Sequence, residues 1–473
     1  MPKLTGANRN QLQMMSLEGC IDEDNPVRVI DALIDLFDLD QLGFITKGHS
    51  REGRPAYGAD ILLKLYLYGY QNRIRSSRML AKACIRNLEV MWLVQMQRPC
   101  YKTIADFRKD NSKALKAAFR QFNMLLKDWG MFGGQTIAVD GSKFRAQNSK
   151  KNNYNDKKIK QHLAYIDEQT QEFIQQLDET DQIEDQNNQD QQATPFRQKL
   201  EQLKNRRQKY EALADQLAQS DQTQISTTDE DARALPRKMN IVEVAYNVQT
   251  AVDDQHNLVV HYEATNQHDT YALPKIAGPA KDFLQVETID TLADKGYHTG
   301  SALKACAELQ IETFVAPRNQ ANQSKHKDFR TDKFVYYPIA DMYRCPQNQF
   351  LTTNGTYYNK KNTGRKTYRF KRYVAEYKKC ATCSFKQACV GNRLKHRHGR
   401  SIERSEYADY IEANAKRVKE NKAYYRRRQA IVEHPFGTIK RQWGFNYTLL
   451  KGLQKVDGEF GLVFLSYHLT STL

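Results

Sequence analysis

The chain has 473 residues, of which 40% are hydrophobic and 27% are charged, a composition typical of a globular protein with a sizeable core. No stretch approaches the roughly 18 consecutive apolar residues of a membrane-spanning helix, which excludes the transmembrane class. Residues 1–6 carry no apolar secretory signal, and eight cysteines are too few for a disulfide scaffold. We therefore expect a protein of the reducing cytoplasm.

The distribution of charge is the first indication of a partner. Lys and Arg outnumber Asp and Glu by 72 to 55, which gives a net charge of +17. Residues 393–451 contain fifteen Lys or Arg against six acids, whereas residues 161–196 contain nine acids and no Lys or Arg. A surplus alone would serve solubility, but clustered positive charge favours a polyanionic partner such as nucleic acid.

Residues 1–130 are predicted to form a helical domain. Asn25 as N-cap and Pro26 at the first helical position indicate a helix start, and a second amphipathic helix is expected over residues 59–70. Another helix is expected to begin with Thr103 as its cap. A small basic helical domain is typical of DNA binding, although a plain helical bundle has the same pattern. The arginines proposed to contact DNA from this domain are Arg75, Arg78 and Arg108.

Beyond residue 130 the pattern becomes mixed α/β. Short β-branched runs and amphipathic helices follow in the order β, ββ, α, β, α, β, which predicts one mixed sheet flanked by helices over residues 131–317. Residues 150–225 are rich in Gln and Asp with sparse apolar positions, so they are expected to interrupt the core as a helical hairpin or a partly disordered arm. A basic, Tyr-rich insert at residues 318–400 follows. Residues 401–473 are expected to hold a long helix, from about Glu403 past Glu433, and a tail.

Three acidic residues are predicted to meet at one rim of the sheet. Asp140 and Asp294 each follow an apolar strand, and ligand sites of open α/β sheets gather beyond the carboxyl ends of strands. Glu433 lies among apolar residues of a basic helix, where an acid needs a partner. Three carboxylates suit hard divalent cations, and two Mg²⁺ ions about 4 Å apart support in-line phosphodiester displacement. Taken singly, each acid could equally cap a helix or pair with an arginine.

Together, three segments resemble the DDE triad of bacterial insertion-sequence transposases; they are Val139–Ser142, Ala293–Tyr297 and Val432–Lys440. Lys440 matches the lysine of the family signature Tyr-x2-Arg-x3-Glu-x6-Lys, while Tyr425 and Arg428 each lie one position before the strict register. The resemblance implies an α/β catalytic core of ribonuclease H-like type, an all-α N-terminal domain and two insertions.

This resemblance also implies a function. The enzyme would bind the ends of an insertion sequence and catalyse metal-dependent phosphodiester hydrolysis and strand transfer, with Asp140, Asp294 and Glu433 holding Mg²⁺ or Mn²⁺, as two ions. Its partner would be double-stranded DNA, at the element ends and the target, bound by a homodimer in the bacterial nucleoid. A ribonuclease H-like nuclease or resolvase without strand transfer, and a catalytically silent DNA-binding derivative, are the alternatives. The C-terminal residues expected to contact DNA are Lys440, Arg426, Arg427, Arg428 and Arg441.

Half of the cysteines fall in the insert, at Cys345, Cys380, Cys383 and Cys389. Four thiolates with one close pair predict a tetrahedral zinc site that would hold together a polar loop. An iron–sulfur cluster or no metal at all stay open, and His396 or His398 could replace one cysteine. The aromatic and basic residues 357–373 could flank DNA or form a β-hairpin with a basic outer face.

Overall fold

The computed structural model describes residue 10 and residues 14–45, 55–184, 193–220, 222–236, 242–318, 326–362, 365–391 and 399–472. Within these ranges, no helix has both the length and the apolar character needed to cross a membrane.

Before residue 130 the described chain is helical, as predicted. Asn25 caps the first helix, because its Oδ1 accepts a hydrogen bond of 3.0 Å from the backbone amide of Val27. The predicted cap at Thr103 is wrong: that helix begins at Tyr101, with Cys100 at the N-cap position. The helices are α1 (Pro26–Asp35), α2 (Ala59–Gln71), α3 (Ser77–Arg86), α4 (Leu88–Leu93), α5 (Tyr101–Asp110) and α6 (Ser112–Asp128).

The main sheet is built from the next part of the chain. In order, its elements and the helical arm are β1 (Thr136–Arg145), β2 (Asn153–Asn155), α7 (Asp156–Glu184), α8 (Ala193–Gln219), β3 (Gln224–Ser226), β4 (Arg233–Pro236), β5 (Val242–Asp253), β6 (Val259–Thr265), α9 (Leu273–Leu284), β7 (Ile289–Ala293), α10 (Gly300–Glu308) and β8 (Ile311–Val315). The sheet order is β4-β5-β1-β7-β8, with β6 also paired to β5. The strands β1, β7 and β8 are parallel, and β5 is antiparallel to β1.

Asp140 lies inside β1 and not at the end of the strand, so that expectation is wrong. Only the parallel pairing with β7 stops at Val139; beyond it, β1 continues along β5 as far as Arg145. β1 continues because residues 141–145 pair with residues 245–249 of β5, which lie about a hundred positions further along the chain.

The arm that interrupts the core is a helical hairpin, one of the two forms predicted for it from the sequence. α7 and α8 pack on each other around Ile159, Ile166, Leu203 and Tyr210, and the short strands β2 and β3 pair at their base. The arm therefore has a small core of its own beside the main sheet.

The insert folds into a second sheet. Its elements are β9 (Val335–Tyr337), β10 (Met342–Arg344), β11 (Phe350–Thr352), β12 (Tyr357–Asn362), β13 (Arg365–Ala375), α11 (Tyr377–Ala381), α12 (Lys386–Cys389) and β14 (Ser401–Ser405). The sheet has the order β12-β13-β11-β10-β9, with β14 paired to β13. The antiparallel pair β12 and β13 is the β-hairpin that was one of the two alternatives expected here.

The C-terminal part differs from the single long helix that was expected from about Glu403. Residues 401–405 are strand β14, and the helical region is divided at Asn421 into α13 (Ala408–Glu420) and α14 (Lys422–Gly437). α14 continues into a π-helical turn (Thr438–Gln442), and the expected tail is the buried helix α15 (Leu453–Thr472). α15 packs on α6, α2 and β6, so it joins the helical domain to the main sheet in one core.

Candidate active site

Two of the predicted acids lie side by side at the point where β1 and β7 separate. Val139 is opposite Ala293 in the parallel register, and Asp140 and Asp294 are the residues that follow. Each carboxylate has one oxygen fixed by the main chain: the Gly141 amide donates to Asp140 Oδ1 at 2.8 Å, and the Gly296 amide donates to Asp294 Oδ1 at 2.6 Å. Both side chains are therefore oriented by the backbone that follows them.

The electrostatics of this pair suit a divalent cation. The pKa of Asp140 is raised to about 6. Burial is the main cause, and the carboxylates of Asp294 and Asp269 act in the same direction, whereas the Gly141 amide and Arg428 lower the pKa. Partly buried acids that repel each other are stabilised by a hard cation with oxygen ligands. The donor set therefore fits Mg²⁺ or Mn²⁺.

Helix α14 packs against both β1 and β7. Arg428 Nη1 is 3.8 Å from Asp140 Oδ2, and the Tyr425 hydroxyl donates to the carbonyl oxygen of Ala293 at 3.3 Å. Tyr425 and Arg428 each lie one position before the strict family register. Arg428 nevertheless faces Asp140, and Tyr425 binds the residue that precedes Asp294.

Glu433 is on the same helix but is exposed, and its Oε1 accepts a hydrogen bond of 2.9 Å from Gln429 Nε2. Throughout the described ranges, no group of three or more His, Cys, Asp or Glu side chains is arranged to hold a metal ion. The structure thus brings Asp140 and Asp294 together, and the part of Glu433 as a third ligand stays a prediction.

The C-terminal cations expected to contact DNA have different surroundings. Lys440 Nζ donates to the carbonyl oxygen of Lys143 at 2.7 Å and lies 4.1 Å from the centre of the Phe144 ring, so its ammonium is held next to β1. Arg427 forms an ion pair with Asp254, whereas Arg426 and Arg441 are exposed. Of the cations named here, Arg428 has the contact with the acids described above, 3.8 Å from Asp140.

Of the three N-terminal arginines proposed to contact DNA, Arg78 is the exposed one; its guanidinium lies 5.1 Å from the centre of the Tyr101 ring. Arg75 donates to the buried carboxylate of Glu459 on α15 at 2.6 Å. Arg108 is 5% exposed and donates to the Tyr70 hydroxyl and to the carbonyl oxygen of Arg75, each at 3.2 Å. These contacts give Arg75 and Arg108 a structural role and argue against a direct role of Arg108 on DNA.

Two segments of the chain match known protein families. Residues 15–110 match a transposase domain (DUF772), and residues 344–471 match a transposase DDE domain. Both matches support an insertion-sequence DDE transposase. The mixed α/β core is consistent with the ribonuclease H-like fold expected of such transposases, and no curated protein or solved structure matches the chain. Glu433 falls inside the second matched segment, while Asp140 and Asp294 lie outside both.

A further acid close to the pair, Asp269, was missed by the sequence analysis. Its Oδ1 accepts hydrogen bonds from Gln249 Nε2 at 2.7 Å and from Asn247 Nδ2 at 2.8 Å, and its charge contributes to the raised pKa of Asp140. The available signal was the pair of amides, because Asn247 and Gln249 alternate with apolar residues in β5 and are buried. Buried amides need hydrogen-bond partners.

The four cysteines of the insert line one cavity of about 30 Å³, together with Leu351 and Ala375. The backbone amide of Gln349 donates to Cys345 Sγ at 3.3 Å, and that of Arg400 donates to Cys380 Sγ at 3.4 Å. The cysteines belong to the described residues in which no metal-holding group was found, so zinc binding stays a prediction. The alternative ligands His396 and His398 lie outside the described residues.

We expect Asp140→Asn to stabilise the metal-free fold at pH 8 by about 1 kcal/mol, after allowance for partial exposure, and to change little at about pH 3. The folded pKa of Asp140, about 6, lies above the unfolded value of 3.8, so the free-energy cost of the carboxylate in the folded chain develops between these two values and is present in full above them. Below the unfolded pKa the carboxyl is protonated in both states and the cost disappears. Urea unfolding of both proteins at the two pH values measures the difference; an effect that does not depend on pH would contradict the raised pKa.

For the cysteine cluster, we expect metal analysis of the reduced, purified chain to find about one zinc ion per molecule. Cys383→Ser should lower the zinc content sharply, whereas Cys100→Ser, at an exposed cysteine of the helical domain, should leave it unchanged. Purified wild-type protein that contains no zinc and takes up none from solution would refute the prediction.

Proposed function

We propose that this transposase cleaves DNA at the ends of an insertion sequence and joins the freed ends to target DNA, with Asp140, Asp294 and Glu433 holding Mg²⁺ or Mn²⁺, as two ions. The observation that carries the proposal is the adjacent pair Asp140 and Asp294, directly beyond the parallel pairing of β1 and β7, in a chain that matches a transposase DDE domain. Glu433 enters as the acid of the matched segment that the family signature indicates.

The chain's own residues would prepare the site for phosphodiester chemistry. Two divalent ions, when bound, activate the attacking oxygen and stabilise the leaving oxygen. Asp140 and Asp294 would offer the oxygens that the Gly141 and Gly296 amides do not hold. Arg428, 3.8 Å from Asp140, would bring positive charge to the phosphate that is being cut.

Positive charge around the acids would hold the DNA backbone. Lys440, tethered to β1 by its hydrogen bond to Lys143, would act as a point charge on a phosphate near the cleavage point. Phosphate contacts of this kind fix the position of the duplex without reading its sequence. Exposed arginines that would add such contacts are Arg78, Arg426 and Arg441. Two element ends would be brought together by a homodimer on DNA.

The test uses a duplex that carries the ends of the element, with Asp140→Asn, Asp294→Asn and Glu433→Gln in the full chain. Each variant should still bind the duplex in a gel-shift assay but should lose Mg²⁺-dependent cleavage by at least about a hundredfold. Asp282→Asn, at an exposed acid on α9 outside the proposed triad, is the matched control and should cleave like the wild type.

Each outcome decides one part of the proposal. Cleavage that survives in Asp140→Asn or Asp294→Asn would refute the metal site, and survival in Glu433→Gln alone would remove only Glu433. Joining of the 3′ ends to a second plasmid is expected of a transposase. Cleavage without any joining would favour the nuclease or resolvase alternative.

A further inference from the structure

A chain of buried hydrogen bonds connects the loop after β7 to strand β5. The Tyr297 hydroxyl donates to Gln249 Oε1, and Gln249 Nε2 donates to Asp269 Oδ1 at 2.7 Å. Asn247 Nδ2 donates to the same oxygen at 2.8 Å. Tyr297 and Asn247 are 0% exposed and Gln249 is 1% exposed, whereas Asp269 is half-buried, so three of the four side chains are shielded from water.

This network passes over β1 at Gly141. Gly141 is opposite Gln249 in the antiparallel register of β1 and β5. A Cβ atom at residue 141 would lie 2.3 Å from Gln249 Nε2 and 2.7 Å from Asp269 Oδ1. Because Gly141 has no side chain, the Gln249 amide and the Asp269 carboxylate can meet at this position, one residue after Asp140.

The other end of the network is in the loop that carries Asp294. Tyr297 follows Asp294 by three residues, and its backbone amide donates to the Asp294 carbonyl oxygen at 3.2 Å. Between them, a Cβ atom at Gly296 would lie 2.8 Å from Asp294 Oδ1 and 3.6 Å from Asp269 Oδ2. Burial raises the pKa of Tyr297 well above its usual value, so the hydroxyl keeps its proton and remains a donor.

We propose that Tyr297, Gln249 and Asp269 are positioning residues that set the distance between Asp140 and Asp294 for divalent-metal binding. The inference rests on the proposed function, in which these two acids hold the metal. The strands β5 and β7 flank β1, and the network ties them together directly beneath the two acids. Because residues that orient metal ligands strongly affect metal affinity, loss of one link should weaken binding without removing a ligand.

The experiment measures Mn²⁺ binding to the full chain by calorimetry, without DNA. Tyr297→Phe and Asp269→Ala should each weaken binding by about tenfold. Asp269→Asn keeps an acceptor oxygen for Gln249 and should retain more affinity than the alanine variant. Tyr66→Phe is the matched control, because it also removes a buried hydroxyl, one that donates to the Ile104 carbonyl oxygen at 2.6 Å in the helical domain; its Mn²⁺ affinity should equal that of the wild type.

A second measurement follows hydrogen exchange of the amides of residues 294–299 in the metal-free protein. We expect faster exchange there in Tyr297→Phe than in Tyr66→Phe. Unchanged Mn²⁺ affinity or unchanged exchange in folded Tyr297→Phe would overturn the positioning role. If wild-type protein binds Mn²⁺ through Asp140 but does not cut DNA, the proposed function fails while the positioning role stands. If it binds no Mn²⁺, metal positioning fails with the proposed function.

Discussion

The parallel pairing of β1 with β7 is the constraint on which the candidate site depends. It brings together two residues that are 154 positions apart in the chain, because Val139 and Ala293 are partners and an aspartate follows each. Two neighbouring carboxylates repel each other. Here the backbone amides of Gly141 and Gly296 each donate a hydrogen bond to one carboxylate oxygen and so fix the two side chains. The sheet itself thus creates an acidic pair of the kind that hard divalent cations prefer, and metal binding there stays a prediction.

The two C-terminal helices pack on the part of the sheet that carries this pair. α14 places Arg428 next to Asp140 and Tyr425 next to Ala293, and α15 lies between the sheet and the N-terminal helices. The buried ion pair of Arg75 with Glu459 links α15 to the helical domain, and the backbone amides of Leu449 and Leu450 also donate to that carboxylate at 3.0 Å. A buried charge needs such partners, so the joint between the two parts is specific.

Local patterns were sufficient to predict much of this fold from the sequence. The Asn25 cap, the hairpin of β5 and β6, and the alternation of strands and helices to residue 315 follow from short-range chemistry, and the structure agrees with them. Apart from the cap at Thr103, the errors concern features decided by distant partners. β1 continues past Asp140 because β5 pairs with it. α15 is buried all round from Gly458 to Leu469, so its sequence has no amphipathic pattern to detect.

The candidate site divides in the same way. Asp140 and Asp294 could be singled out because each follows a run of apolar strand residues, whereas Asp269 follows a polar turn and accepts hydrogen bonds from Asn247 and Gln249. Sequence alone does not distinguish an exposed arginine such as Arg78 from Arg75 and Arg108, whose guanidinium groups contact Glu459 and Tyr70 respectively. Buried amides such as Asn247 and Gln249, and glycines next to acids such as Gly141 and Gly296, are thus the more informative signals. Buried amides need hydrogen-bond partners, and the glycines leave room for polar side chains. Here both features occur next to Asp140 and Asp294.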